Sequence, residues 1–197
     1  MITDYSSLKT AITDWSHRSD LSSYMDDFIK SAEQRIATDL RVRELETSTS
    51  GTLSGITLAL PSDFASLRRL TIATQVKYEP ESVGANGLRR FYDSSNGLPT
   101  YYAIVGSNIE FNRTPDSEYA YELDYYKKPT ALTASNTTND IITTYPNIYL
   151  YACLIEAGYF AKNDSDIQRY TDKYRQILEF TNRVGREQGG PMRVMAG

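Results

Sequence analysis

Apolar positions recur along the first forty residues with the spacing of buried helix faces. Leu8, Ala11, Ile12 and Trp15 follow i, i+3, i+4, i+7, which predicts a helix over 4–16 capped by Thr3 or Asp4. HRSDLSS interrupts it, and a second stripe of Met25, Phe28, Ile29, Ala32, Ile36 and Leu40 predicts a helix over 22–42. Arg41 and Arg43 follow near the negative end of its dipole. Glu33 and Arg35 lie off that stripe and are expected on a solvated face, with inter-subunit ion pairing as the sharper alternative.

From about 45 to 128 the period becomes two. Ile56, Leu58 and Leu60 alternate up to Pro61; Leu67, Leu70 and Ile72 mark a second strand, and 76–79 a third. GANGLRRFYD reads as a turn into a short helix, and YYAIVGSNIEF as a hairpin around Gly106, Ser107 and Asn108. Tyr119, Tyr121, Leu123 and Tyr125 then put an aromatic face on one strand, which must lie against something. After a polar loop, Pro146 opens a third long helix, and Asn163 or Asp164 caps a fourth that runs to about 186 with Ile167, Tyr170, Tyr174, Ile177, Leu178, Thr181 and Val184 as its stripe.

The third long helix has no polar face. Ile148, Leu150, Tyr151, Leu154, Ile155 and Tyr159 cover most of its circumference, Tyr149, Cys153 and Phe160 much of the rest, and Glu156 is its one charge before Lys162. Such a helix needs cover on all sides. The first, second and fourth helices of the same chain would supply it, or a neighbouring copy would supply part.

The pattern therefore predicts an α+β protein: a four-helix-bundle-like lobe (1–44 with 144–187), an antiparallel β lobe with its loop (45–143) inserted between the second and third long helices, and an extended tail (188–197).

Composition narrows the function classes. Sixteen of the 197 residues are Tyr, which buries a large area yet keeps a polar tip, as surfaces that are wet in one state and dry in another require. A net charge of -4 argues against a dedicated nucleic-acid binder and suits a surface that DNA passes without sticking. Cys153 alone forms no intramolecular disulfide and fits a core position; with His17 as the one histidine, a zinc site is not expected. The opening MITDYSSLKT lacks a signal peptide's basic start and apolar run, and 148–155 is too short to span a membrane. Phosphate-loop, nucleophile-elbow and zinc-protease motifs are absent, and Asp26/Asp27 and Asp164/Asp166 sit where acids favour a helix N-terminus. No catalytic residue, cofactor or metal is expected.

The segments FIKSAEQRIATDLRVRELE (28–46), ITLALPSDFASLRRLTI (56–72), GLPTYYAIVGSNIEFNRTPDSEYAYELDYYKKPTAL (97–132) and TTYPNIYLYACLIEAGYFAKND (143–164) occur in one order over most of the chain. Together they resemble the head-to-tail adaptor, or head completion, proteins of tailed bacteriophages. The resemblance implies a virion neck protein assembled in the host cytoplasm. It implies twelve copies in a ring between the portal and a tail protein, with double-stranded DNA passing non-specifically through an axial channel. It carries no catalytic residues; a peptidoglycan-cleaving tail accessory protein is the alternative. On this reading Tyr149, Tyr151, Tyr159 and Phe160 are candidates for the inter-subunit interface. The segment after Gly189, Gly190 and Pro191, with Met192, Arg193, Val194 and Met195, is the candidate portal-docking tail.

Overall fold

A computed structural model describes residues 1–74 and 77–188 of the chain, the side chains of 186–188 excepted. The candidate tail residues Met192, Arg193, Val194 and Met195 lie outside the described residues. The chain forms two compact units, one of residues 1–45 with 128–197, the other of 46–127. Residues 128–143 thus fall with the helices rather than with the insertion.

In the helical unit, Asp4 caps α1 (Tyr5–Ser16): its carboxylate accepts from the Ser7 N–H at 2.8 Å, and the Ser7 hydroxyl accepts the Asp4 N–H at 3.0 Å. Leu8 and Ile12 are buried, but Trp15, expected on that face, is 50% exposed. His17 ends the helix in the left-handed region (φ 52°). A 3-10 turn over Ser19–Tyr24 leads into α2 (Met25–Asp39), which ends three residues before the expected stop. Leu40 is extended there, and Asn182 bridges the break, accepting the Arg41 N–H at 2.7 Å and donating to the Asp39 carbonyl at 2.9 Å. The helix end is thereby capped from a distant element, which no local signal announces.

A short α4 (Asp140–Thr144), capped by Asn139, precedes α5 (Pro146–Ala161). Lys162 turns the chain in the left-handed region into α6 (Asp164–Gln188). The apolar helix α5 packs against α1, α2, α4 and α6 of its own chain, and every residue from Ile148 to Gly158 except Tyr151 and Glu156 is buried. Its own unit therefore covers α5 almost entirely; a neighbouring copy is not needed to do so. A Cβ on Gly158 would lie 2.9 Å from Ile167 Cγ1, so the α5–α6 approach depends on its absence.

The described residues of the second unit hold eight strands in two four-stranded sheets. The first, β1-β8-β3-β4, comprises β1 (Glu46–Leu53), β8 (Tyr119–Lys127), β3 (Phe64–Ala73) and β4 (Lys77–Tyr78). The second, β2-β7-β6-β5, comprises β2 (Thr57–Ala59), β7 (Asn108–Phe111), β6 (Tyr101–Val105) and β5 (Glu81–Ser82), with α3 (Ala85–Arg90) following β5. Pairing is antiparallel, as expected of the inserted lobe, except between the two-residue β5 and β6, which are parallel.

Leu53, Leu70, Ile72, Tyr102, Ile109, Phe111, Leu123 and Tyr125 from both sheets form one core, which gives the aromatic face of β8 its partner. Phe64, Leu67 and Leu70 are three residues apart, an odd spacing that a regular strand would put on opposite faces. Register shifts between Phe64 and Ser66 and between Leu67 and Arg69 absorb the extra residues and turn all of them, with Ile72, toward the core. ETSTSGTL, with one buried residue, becomes the eight-residue β1 because it pairs along the whole of β8. Gly51 lies opposite Tyr121, whose ring occupies the place of the missing side chain.

Candidate assembly surface

The four candidate interface residues on α5 separate into distinct environments. Tyr149 has no exposed surface and belongs to the core of its own unit, so it is withdrawn as an interface residue. Its hydroxyl donates to Glu33 Oε1 at 3.2 Å and accepts from Asn139 Nδ2 at 2.7 Å. Asn139 Nδ2 also donates to the Thr130 carbonyl, and Glu33 Oε1 accepts the Leu132 N–H at 2.7 Å. Glu33 and Asn139 thereby fasten residues 130–139 to α2 and α5. Burial pushes the Tyr149 hydroxyl far above its ordinary value, with the Glu33 carboxylate adding to the effect. Burial also raises Glu33, partly offset by the bonds from Leu132 and Tyr149. Arg35 pairs with Glu156 of the same chain. Neither reading of Glu33 and Arg35, a solvated face or inter-subunit pairs, describes these contacts.

Tyr151 is half-buried, edge-on to Trp15 at 5.9 Å and tilted against Tyr170 at 6.4 Å. Tyr159 and Phe160, at the C-terminal end of α5, remain 56% and 47% exposed. Phe160 packs on Tyr24 at 4.4 Å and on Phe28 at 5.7 Å, and Tyr24 is itself 42% exposed. Tyr24 and Phe160, both open and resting on Phe28, make a small apolar patch, the kind of surface that marks a contact site, and Tyr159 is exposed at the adjacent position of the helix. Tyr24 sits in the polar turn before α2, and its isolated position gave no periodic signal of a role here.

The β unit carries a second aromatic surface. Phe91 stacks on Tyr101 at 4.3 Å with an interplanar angle of 17°, and Phe91 and Tyr92 are 46% and 61% exposed. Arg89 and Arg90 stand beside them, exposed and without an ion-pair partner among the described residues. A cleft of about 490 Å³ opens between the end of α3 and the β2–β7 pair, lined by Ile56, Thr57, Leu88, Arg89, Tyr92, Glu110 and Phe111. The sequence marks 84–93 only as a turn and short helix, because exposed aromatics have no period.

Among the described residues no group of His, Cys, Asp and Glu could hold a metal ion, and no helix is long and apolar enough to cross a membrane. Cys153 is buried, which raises its thiol well above the usual range and keeps it protonated.

Open aromatic patches on two units define a protein that presents contact surfaces. The chain belongs to the SU10 adaptor protein family, whose profile matches residues 3–195, and it is a structural head-to-tail adaptor of a bacteriophage. That membership implies association with other virion proteins and a place in the virion neck. No curated protein matches the chain.

Proposed function

We propose that copies of this chain form a closed ring, twelve in number, between the portal and the next tail component, and that double-stranded DNA passes through its axial channel during packaging and ejection. A ring contact is heterologous: two different surfaces of each copy meet, and the rotation closes. The uncovered rings of Tyr24, Tyr159 and Phe160 are the observation that carries this reading, since they stay open after the chain has covered the rest of α5. Tyr151 with Trp15 offers a further candidate surface on the same unit. The net charge of -4 agrees with transit of DNA, because an acidic protein has little tendency to hold a polyanion. On its sequence alone, the segment with Met192, Arg193, Val194 and Met195 is assigned to docking on the portal.

Replacing Tyr159 and Phe160 together by Ser tests the interface. Both are largely exposed, so the melting temperature should move little, whereas assembly on the portal should weaken at least about tenfold, as loss of interface hot spots does. A folded double variant that assembles as well as the parent contradicts this assignment.

A further inference from the structure

The second sheet of the β unit ends in two edges whose strands point the same way. β2 runs antiparallel to β7, β7 antiparallel to β6, and β6 parallel to β5, so β2 and β5 are parallel at opposite ends of one sheet. A head-to-tail contact between copies related by a modest rotation preserves strand direction. It can therefore lay β5 of one copy alongside β2 of the next as a parallel pair.

The backbone groups needed for that pair stand free. On β2, the Ile56 carbonyl accepts from Phe111 and the Leu60 N–H donates to Ser107, so the even-numbered residues face β7. Thr57 and Ala59 therefore turn their N–H and C=O groups to the open edge, and both are exposed. On β5, the N–H groups of Glu81 and Val83 donate to the Thr100 and Tyr102 carbonyls. Ser82 is left with its N–H and C=O directed outward. In a parallel ladder one residue bonds the two residues flanking its opposite number. Ser82 opposite Leu58 would donate to the Thr57 carbonyl and accept from the Ala59 N–H. The pleat agrees: Ser82 pairs with Tyr102 and Leu58 with Ile109, both core residues, so Ser82 and Leu58 share the inner face. Pro80, which has no N–H, limits the pairing to this short stretch.

Charge supports the same register. Glu81 would stand opposite Thr57 on the outer face, beside the cleft where Arg89 lies. Glu81 and Arg89 are exposed and neither makes an ion pair among the described residues. Glu110 shares that face, which would set Arg89 between two carboxylates.

We infer that adjacent copies are joined edge to edge through this sheet, with β5 of one copy added to β2 of the next, Ser82 opposite Leu58, and Glu81 facing Arg89. The inference rests on the ring reading and names a surface within it, separate from the aromatic patch of α5. The edge supplies few backbone bonds, so it sets register and orientation once other contacts bring the copies together.

In that register Thr57 and Glu81 of neighbouring copies are directly opposed, within disulfide reach. The double variant Thr57→Cys/Glu81→Cys, assembled on the portal and oxidised, should give a ladder of covalent multimers that collapses on reduction, while either single variant gives none. The native Cys153 is buried and contributes no background. Independently, Arg89→Glu should weaken assembly about tenfold, and adding Glu81→Arg should restore it. Assembled rings without cross-links, or a charge exchange that fails to rescue, would overturn the edge pairing and leave the ring standing. If parent protein forms no multimer with its portal, measured by mass, the ring and the edge pairing fall together.

Discussion

Glu33 is a carboxyl group held by one backbone N–H and one tyrosine hydroxyl among apolar neighbours, and its position on α2 ties together residues distant in sequence. Removal from water favours its protonated form and lifts its pKa above the ordinary glutamate value. A carboxyl raised in the folded state contributes stability that is fully present below its unfolded value and is lost as pH rises through the folded one. Glu33→Gln keeps an oxygen acceptor for Leu132 and Tyr149 and removes the titration. The stability of the parent relative to this variant should therefore fall as pH rises from the acid range toward neutrality, measured by denaturant unfolding at a series of pH values. A difference that stays flat with pH would show that Glu33 is solvated after all. None of this was visible along the chain. Glu33 lies between Ala32 and Gln34 off an apolar stripe, where a charge is normally wet, and its partners arrive about a hundred residues later.

At the scale of elements, β3 depends on its irregularities. The register shift beside Arg68 keeps Leu67 and Leu70 on the same side of the sheet. Deleting Arg68 would leave Leu67 and Leu70 two residues apart, the spacing at which a regular strand keeps both on the core side, so the bulge should be lost with little cost beyond that of the Arg68 side chain. Arg68→Ala keeps the chain length and removes mainly an exposed ion pair with Glu46, for which on the order of 1 kcal/mol is expected. Thermal unfolding of the two variants should give similar losses; a deletion that costs much more than Arg68→Ala would mean that the bulge itself carries structural weight.

The elements that were legible in sequence had strong periods: α1, the stripe of α2, α5, α6, the β6–β7 hairpin and β8. Those that were not are held by partners. β1 has a polar sequence and exists because β8 offers it a full edge, and α2 stops at Asp39 because Asn182 of α6 receives it. The interface candidates on α5 divided in the same way. Apolar character alone did not distinguish Tyr149, enclosed by its own chain, from Tyr159 and Phe160, which lie where the helix runs out of neighbours.

For the whole molecule, of the two covers considered for α5 its own chain supplies nearly all, and the surfaces left open include the aromatic end of that helix, the Phe91–Tyr92 surface and the sheet edges of the second unit. The described residues of one copy enclose their own cores, so a free monomer is allowed and assembly should depend on a template. The segment 189–197 has a part in this if it reaches the portal: its deletion should leave the melting temperature within about a degree or two, since it lies beyond α6, and should weaken portal attachment. A truncated chain that docks with full affinity would remove that segment from the account.

As proposed, the chain works as a ring seated on a portal, and the mass of the purified protein, alone and after mixing with its portal, decides whether it does. A ring gives a mass increase of twelve copies per portal ring, whether or not the free protein is monomeric. A protein that remains monomeric in the presence of its portal would contradict it.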